Sequence, residues 1–211
     1  MQQASMHRSD VTFVERRQDV RTIISIPGKY SLASRRDGRG NRREFACRAV
    51  SMSPRGVVIA APVLGQIGER VIAHIGPLGR LEGKIVRTME LGFVMSITAS
   101  EVEQARLERK IAWIEKHKNH ETLECREHDR IVPEDPHSTL TLADGSRRTC
   151  LVIDMSVSGA AVSADLVPRL GTPLALGKVV GRVVRHFDEG FAIQFVNPQH
   201  FATLEHMLIQ R

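Results

Sequence analysis

Cysteines and large aromatic side chains are scarce here: three Cys, one Trp and one Tyr occur among 211 residues. Cys47, Cys125 and Cys150 are odd in number, far apart and outside any C-x-x-C spacing. That argues against both a disulfide framework and a zinc site. The nine histidines include no H-E-x-x-H pair, so no metal is expected. A P-loop, a G-x-S-x-G elbow and a dinucleotide fingerprint are all missing, and no nucleophile–base pair is visible, so catalysis is not expected. No apolar run approaches the roughly 18 residues of a membrane span. The opening "MQQASMHRSD" has no apolar core like that of a secretory signal. The expected setting is the reducing cytoplasm.

What the chain does have is an uneven charge. Residues 1–120 hold 21 Lys and Arg against 12 Asp and Glu, while residues 121–211 hold 9 against 12. A basic first half favours an anionic partner, whether nucleotide, nucleic acid or acidic protein face, although a solvated basic surface has the same signature. The most basic stretch, "SRRDGRGNRREF" (34–45), contains no Tyr or Trp on which unpaired bases could stack. It reads as a solvated hairpin tip, and nucleic acid is not the expected partner.

An internal repeat organises the chain. "CRAVSMSPRGVVIAAP" (47–62) aligns without gaps on "CLVIDMSVSGAAVSAD" (150–165), placing Ser53 on Ser156 and Gly56 on Gly159. "GKIVRTMELGF" (83–93) then matches "GRVVRHFDEGF" (181–191). Upstream, "RQDVR" (17–21) and "REHDR" (126–130) each precede the first strand-like run. Two domains of about a hundred residues follow, 1–120 with a connecting helix and 121–211.

Each repeat reads as mainly β, with five or six short β-branched or alternating runs separated by Gly, Pro, Asn and Asp. A small antiparallel barrel suits that pattern, because closure removes exposed sheet edges. "SEVEQARLERKIAWIEKHKN" (100–119) changes to helical period, with Ser100 and Glu103 as a capping box and Leu107, Ile111 and Ile114 on one face. Trp113 is expected to pack onto the barrel. A shorter helix closes the chain, with Asn197 as cap, Pro198 in the first turn, and Phe201, Leu204 and Leu208 on one face.

The residues around the repeated turn have a definite chemistry. Arginine presents a planar fork that pairs with guanine O6 and N7, chelates phosphate oxygens or stacks on a base. A carboxylate complements the other edge of guanine, where N1–H and the exocyclic amine are donors. Arg126 and Arg130 with Asp154 would therefore read both edges. Ser156 adds a short polar group, and Gly159 permits positive φ or close approach of a ligand. The competing readings are plain: the arginines could pair with Glu127, Asp129 or Glu134, and Asp154 could bond its own backbone as an Asx turn.

Arg126-x-x-x-Arg130 followed by Asp154-x-Ser156-x-x-Gly159 resembles the signature of the PilZ family, whose members bind the bacterial second messenger cyclic di-GMP. The resemblance covers nearly the whole chain as two copies. It implies two six-stranded antiparallel barrels, each followed by an α-helix. It also implies a non-enzymatic receptor that signals to an effector protein in motility, exopolysaccharide or biofilm control. The implied ligand contacts are Arg126, Arg130, Asp154, Ser156 and Gly159.

The first copy keeps Arg17, Arg21, Ser53 and Gly56 but has Ser51 at the acidic position, with Pro54 and Arg55 expected to alter the turn. A hydroxyl accepts less strongly than a carboxylate, so a weaker second site is expected there. In the family, an arginine just before the pair accompanies a stacked pair of ligands. Arg16 holds that position in copy one and Cys125 in copy two. A nucleotide-independent adaptor with the same fold is the alternative function.

Overall fold

The computed structural model describes residues 22–117 and 130–210. Six strands form the first barrel: β1 (Thr22–Arg36), β2 (Arg42–Ser53), β3 (Gly56–Ala60), β4 (Arg70–Ile75), β5 (Gly79–Met89) and β6 (Gly92–Ser96). Six more form the second: β7 (His137–Leu142), β8 (Arg147–Ser156), β9 (Gly159–Ala164), β10 (Pro173–Leu176), β11 (Val179–Phe187) and β12 (Gly190–Phe195). Both are closed and share one strand order, β1-β2-β3-β6-β5-β4 and β7-β8-β9-β12-β11-β10. Antiparallel pairing of β1 with β4, and of β7 with β10, completes each ring. The repeat is thus a repeat of topology.

Alternation supplies the cores. In β11, Val179, Gly181 and Val183 point inward while Val180, Arg182 and Val184 point out. The first core centres on Tyr30, whose ring lies 5.7 Å from Phe45 and 5.4 Å from Phe93. Its hydroxyl donates to Val63 O at 2.5 Å, which satisfies the polar tip of a buried ring. The second core has Leu140, Met155, Leu176 and Phe191, and with fewer rings it is filled by aliphatic volume.

Helix α1 (Glu101–His117) starts where the capping box places it: Glu103 Oε2 accepts from Ser100 N–H at 2.8 Å. Leu107, Ile111 and Ile114 pack on the first core. Trp113 does not. It is 58% exposed and stacks on His117 with ring centroids 4.4 Å apart, because it lies on the helix face opposite Leu107 and Ile111. The closing helix α2 (Leu204–Leu208) also begins later than Asn197-Pro198 suggests, after a 3-10 turn at Phe201–Thr203. Gln199 N–H donates to Val157 O at 2.7 Å, tying the Asn-Pro stretch to the β8–β9 turn instead of to a helix. Leu204 and Leu208 are buried as expected, whereas Phe201 is exposed.

Side chains join the two barrels, with β2 lying against β8 and β9. Ala46 N–H donates to the fully buried Ser163 Oγ at 3.0 Å. Arg35 and Arg43 both reach Asp165, at 3.3 and 3.1 Å, so the basic hairpin is not simply a solvated tip. Its base docks on the second barrel, and its turn is organised by Asp37, which accepts from the backbone of Arg39 and Asn41. Buried Arg48 donates to Pro133 O at 2.6 Å and Glu134 O at 3.0 Å.

His137 is buried at this junction, its Nδ1 3.5 Å from Asp135 Oδ1 and its Nε2 without a hydrogen-bond partner among the described residues. Burial lowers its pKa from the usual 6.5, opposed by Asp135 and by backbone groups of Ala61 and Leu91 in the first barrel. A histidine buried neutral contributes stability above its unfolded pKa, and that contribution is lost as pH falls through the depressed folded value. Gly159 meets a different constraint. Its φ is not positive, and a Cβ there would sit 2.4 Å from Ile193 O in β12, so glycine is needed where β9 crosses close to β12.

Two outcomes are expected. Thermal unfolding of the full chain should show a midpoint that falls as pH drops below about 6.5, with a shallower fall in His137→Phe; equal slopes would mean that other groups carry the dependence. Gly159→Ala should lower stability by about 1–3 kcal/mol in chemical denaturation, through overpacking against backbone that has little room to move.

Candidate nucleotide-binding site

The strand that carries Asp154 is interrupted just before it. Pairing of β8 with β9 shifts register between Val152 and Asp154, leaving Ile153 as the extra residue of a β-bulge. The first barrel bulges at the same place, between Ala49 and Ser51. A bulge bends the strand and re-aims the next side chain. Here that side chain is Asp154 in one barrel and Ser51 in the other.

Beyond the bulge, both strands reverse through the same tight turn. Ser156 pairs with Gly159 and Ser53 with Gly56. Ser158 O accepts from Phe195 N–H at 2.9 Å, and Arg55 O accepts from Ile97 N–H at 2.8 Å. Pro54 and Arg55 therefore leave the turn unaltered, contrary to the expectation from sequence, because this bond uses a carbonyl that every residue carries. Ser156 is buried, and its Oγ donates to Gly159 O at 3.3 Å. Its hydroxyl braces the turn. Ser53 is likewise buried at the same position of the first barrel.

Arg130 reaches the motif through backbone pairing. Ile131 N–H donates to Met155 O at 2.8 Å, and Met155 N–H donates to Ile131 O at 2.9 Å. This bridge sets the lead-in segment beside Asp154. Arg130 Nη1 lies 3.1 Å from both Asp154 oxygens, and Glu134 is not its partner. One nitrogen makes both contacts, so Nη2 and Nε of the guanidinium retain donors with no partner among the described residues. With side chains 48% and 27% exposed, the pair is worth at most about 1 kcal/mol to stability.

Arg126, Arg16, Arg17 and Arg21 lie outside the described residues. The first barrel nevertheless repeats the bridge, since Thr22 pairs with Met52 as Ile131 pairs with Met155. Arg21 and Arg130 thus precede equivalent residues in sequence. Among the described residues no group of three His, Cys, Asp or Glu is arranged to hold a metal, and no helix is long and apolar enough to cross a membrane.

The contacts of Arg48, Ser163 and Asp165 between the two repeats were not apparent from the sequence. Arg48 had one usable signal, a cation inside the otherwise apolar run "FACRAV". Its partners are main-chain carbonyls of the other repeat, which no local pattern identifies.

The PilZ domain profile matches residues 124–210. No curated protein matches the chain significantly. Among solved structures, the chain is similar to the Borreliella burgdorferi PlzA protein in complex with cyclic di-GMP, at 13% identity and TM-score 0.31, covering 90% of this chain and 93% of that one. The Bacillus subtilis inhibitor of motility (MotI/DgrA) aligns at 14% identity and TM-score 0.29, over 88% and 93%. YcgR from Escherichia coli, in complex with cyclic di-GMP, aligns at 12% identity and TM-score 0.24, over 87% and 80%. Superpositions this loose assign no role to any residue here. The profile match covers the β7–β12 barrel together with its lead-in and closing helix, and the first barrel, which lies outside the match, repeats its strand order.

Proposed function

We propose that the protein is a cytoplasmic, non-enzymatic receptor for cyclic di-GMP, which it binds at the second barrel. The observation that carries this reading is the contact of Arg130 with Asp154 at the motif of a PilZ domain. Nη2 and Nε of Arg130, which have no partner among the described residues, suit guanine O6 and N7, while Asp154 keeps acceptor capacity for N1–H and the exocyclic amine. A guanine entering here extends the existing ion pair instead of having to break it. Arg126 supplies a second cation for base or phosphate, and the Ser156–Gly159 turn provides the floor.

The first barrel is the weaker site. It has Arg16, Arg17, Arg21, Ser53 and Gly56, but Ser51 offers a neutral acceptor where Asp154 offers a charged one. The output passes to an effector protein, in keeping with the roles in motility, exopolysaccharide and biofilm control that the family resemblance implies.

Titration calorimetry with cyclic di-GMP tests the site. Arg130→Ala and Asp154→Ala should each weaken binding more than tenfold, since each removes charge-assisted contacts worth about 1.5–3 kcal/mol. Wild-type affinity in either variant would refute the assignment. Competition with cyclic di-AMP tests base reading. Its six-position amine meets the arginine donors as donor against donor, so it should compete at least tenfold more weakly; equal competition would mean that only the phosphates are recognised.

A further inference from the structure

Arg48 is 5% exposed and lies on β2 of the first barrel, yet its guanidinium serves the second. Nη1 donates to Pro133 O at 2.6 Å and to Glu134 O at 3.0 Å, within the segment that begins with Arg130. The same stretch is gripped from the other side, because Glu134 N–H donates to Glu205 Oε1 of α2 at 3.0 Å. Ile131 is fixed by its bridge to Met155. The lead-in is therefore anchored at Ile131 by the second barrel and at Pro133 and Glu134 by both.

Packing alone does not call for an arginine here. Leu151 occupies the equivalent place in the second barrel and is equally buried, without the desolvation cost of a cation. Arg48 also lines a cleft of about 400 Å³ between the barrels together with Ile153, the bulged residue next to Asp154. Arg48 thus holds the lead-in with Arg130 by hydrogen bonds, and the cleft it lines extends to the strand with Asp154.

We propose that Arg48 is a positioning residue for the second barrel's ligand site, so that the first barrel contributes to cyclic di-GMP affinity without touching the ligand. The inference rests on the cyclic di-GMP reading of that site. It is separate from any binding at the first barrel's own motif.

The test uses the full chain, with Arg48→Met to remove both donors at similar volume and Arg48→Lys to keep the charge with a poorer fit. Calorimetry should show cyclic di-GMP binding about tenfold weaker in Arg48→Met, with Arg48→Lys between it and the wild type. Amide hydrogen exchange should be at least tenfold faster at Ile131 in Arg48→Met and unchanged along the β9–β12 ladder. A merely structural role would speed exchange across both barrels instead, and that result overturns the proposal. So does wild-type affinity in Arg48→Met, whatever the exchange shows. If Arg48→Met fails to fold, the same two readouts on Arg48→Lys decide. If the wild type itself takes up no cyclic di-GMP, the ligand reading fails, and exchange at Ile131 still decides whether Arg48 holds the segment.

Discussion

The two backbone hydrogen bonds between Ile131 and Met155 place a residue that precedes the second barrel against a strand within it. Arg130 has no other described backbone tie to the motif, so its approach to Asp154 depends on that bridge. The bulge at Ile153 supplies the other half by re-aiming Asp154. Neither device is costly alone. Together they bring two opposite charges of the motif within 3.1 Å at a half-exposed surface where a ligand has access.

The equivalent parts of the first barrel show how much of this is scaffold. The bulge, the bridge to Met52, the tight turn and the carbonyl contact of Arg55 are all present. What differs is a side chain, Ser51 in place of Asp154. Backbone geometry is shared, while the acceptor is charged in one barrel and neutral in the other. The β2 strand also joins the barrels, since Ala46, Arg43 and Arg48 contact the second repeat.

The barrels and the helix start at Ser100 were legible in the sequence because local rules determine them: period-two alternation, Gly and Asn turns, and a capping box. The closing helix was misjudged because a good local signal at Asn197-Pro198 was overridden by a hydrogen bond from Gln199 to a distant turn. Trp113 was misjudged because its size favours burial while its helical phase places it outward. At the candidate site, the sequence singles out Arg130 and Asp154, but nothing local in it gives the bulge and the bridge that bring the two together. Gly159 read as a conformational need, whereas the constraint is space beside Ile193 O. The Arg48 contacts run between repeats, and so belong to no window that a periodicity argument examines.

Two barrels of one topology on a single chain can trade strands while folding, since β1 and β7 have the same neighbours in the strand order. The unequal cores oppose that exchange. Tyr30 stands where the second barrel has Leu140, and both are fully enclosed. A ring delivered into the space of an aliphatic side chain overfills it, while a leucine delivered into the aromatic cluster leaves Phe45 and Phe93 facing a void. The scarcity of aromatics thus gives each barrel a way of recognising its own first strand.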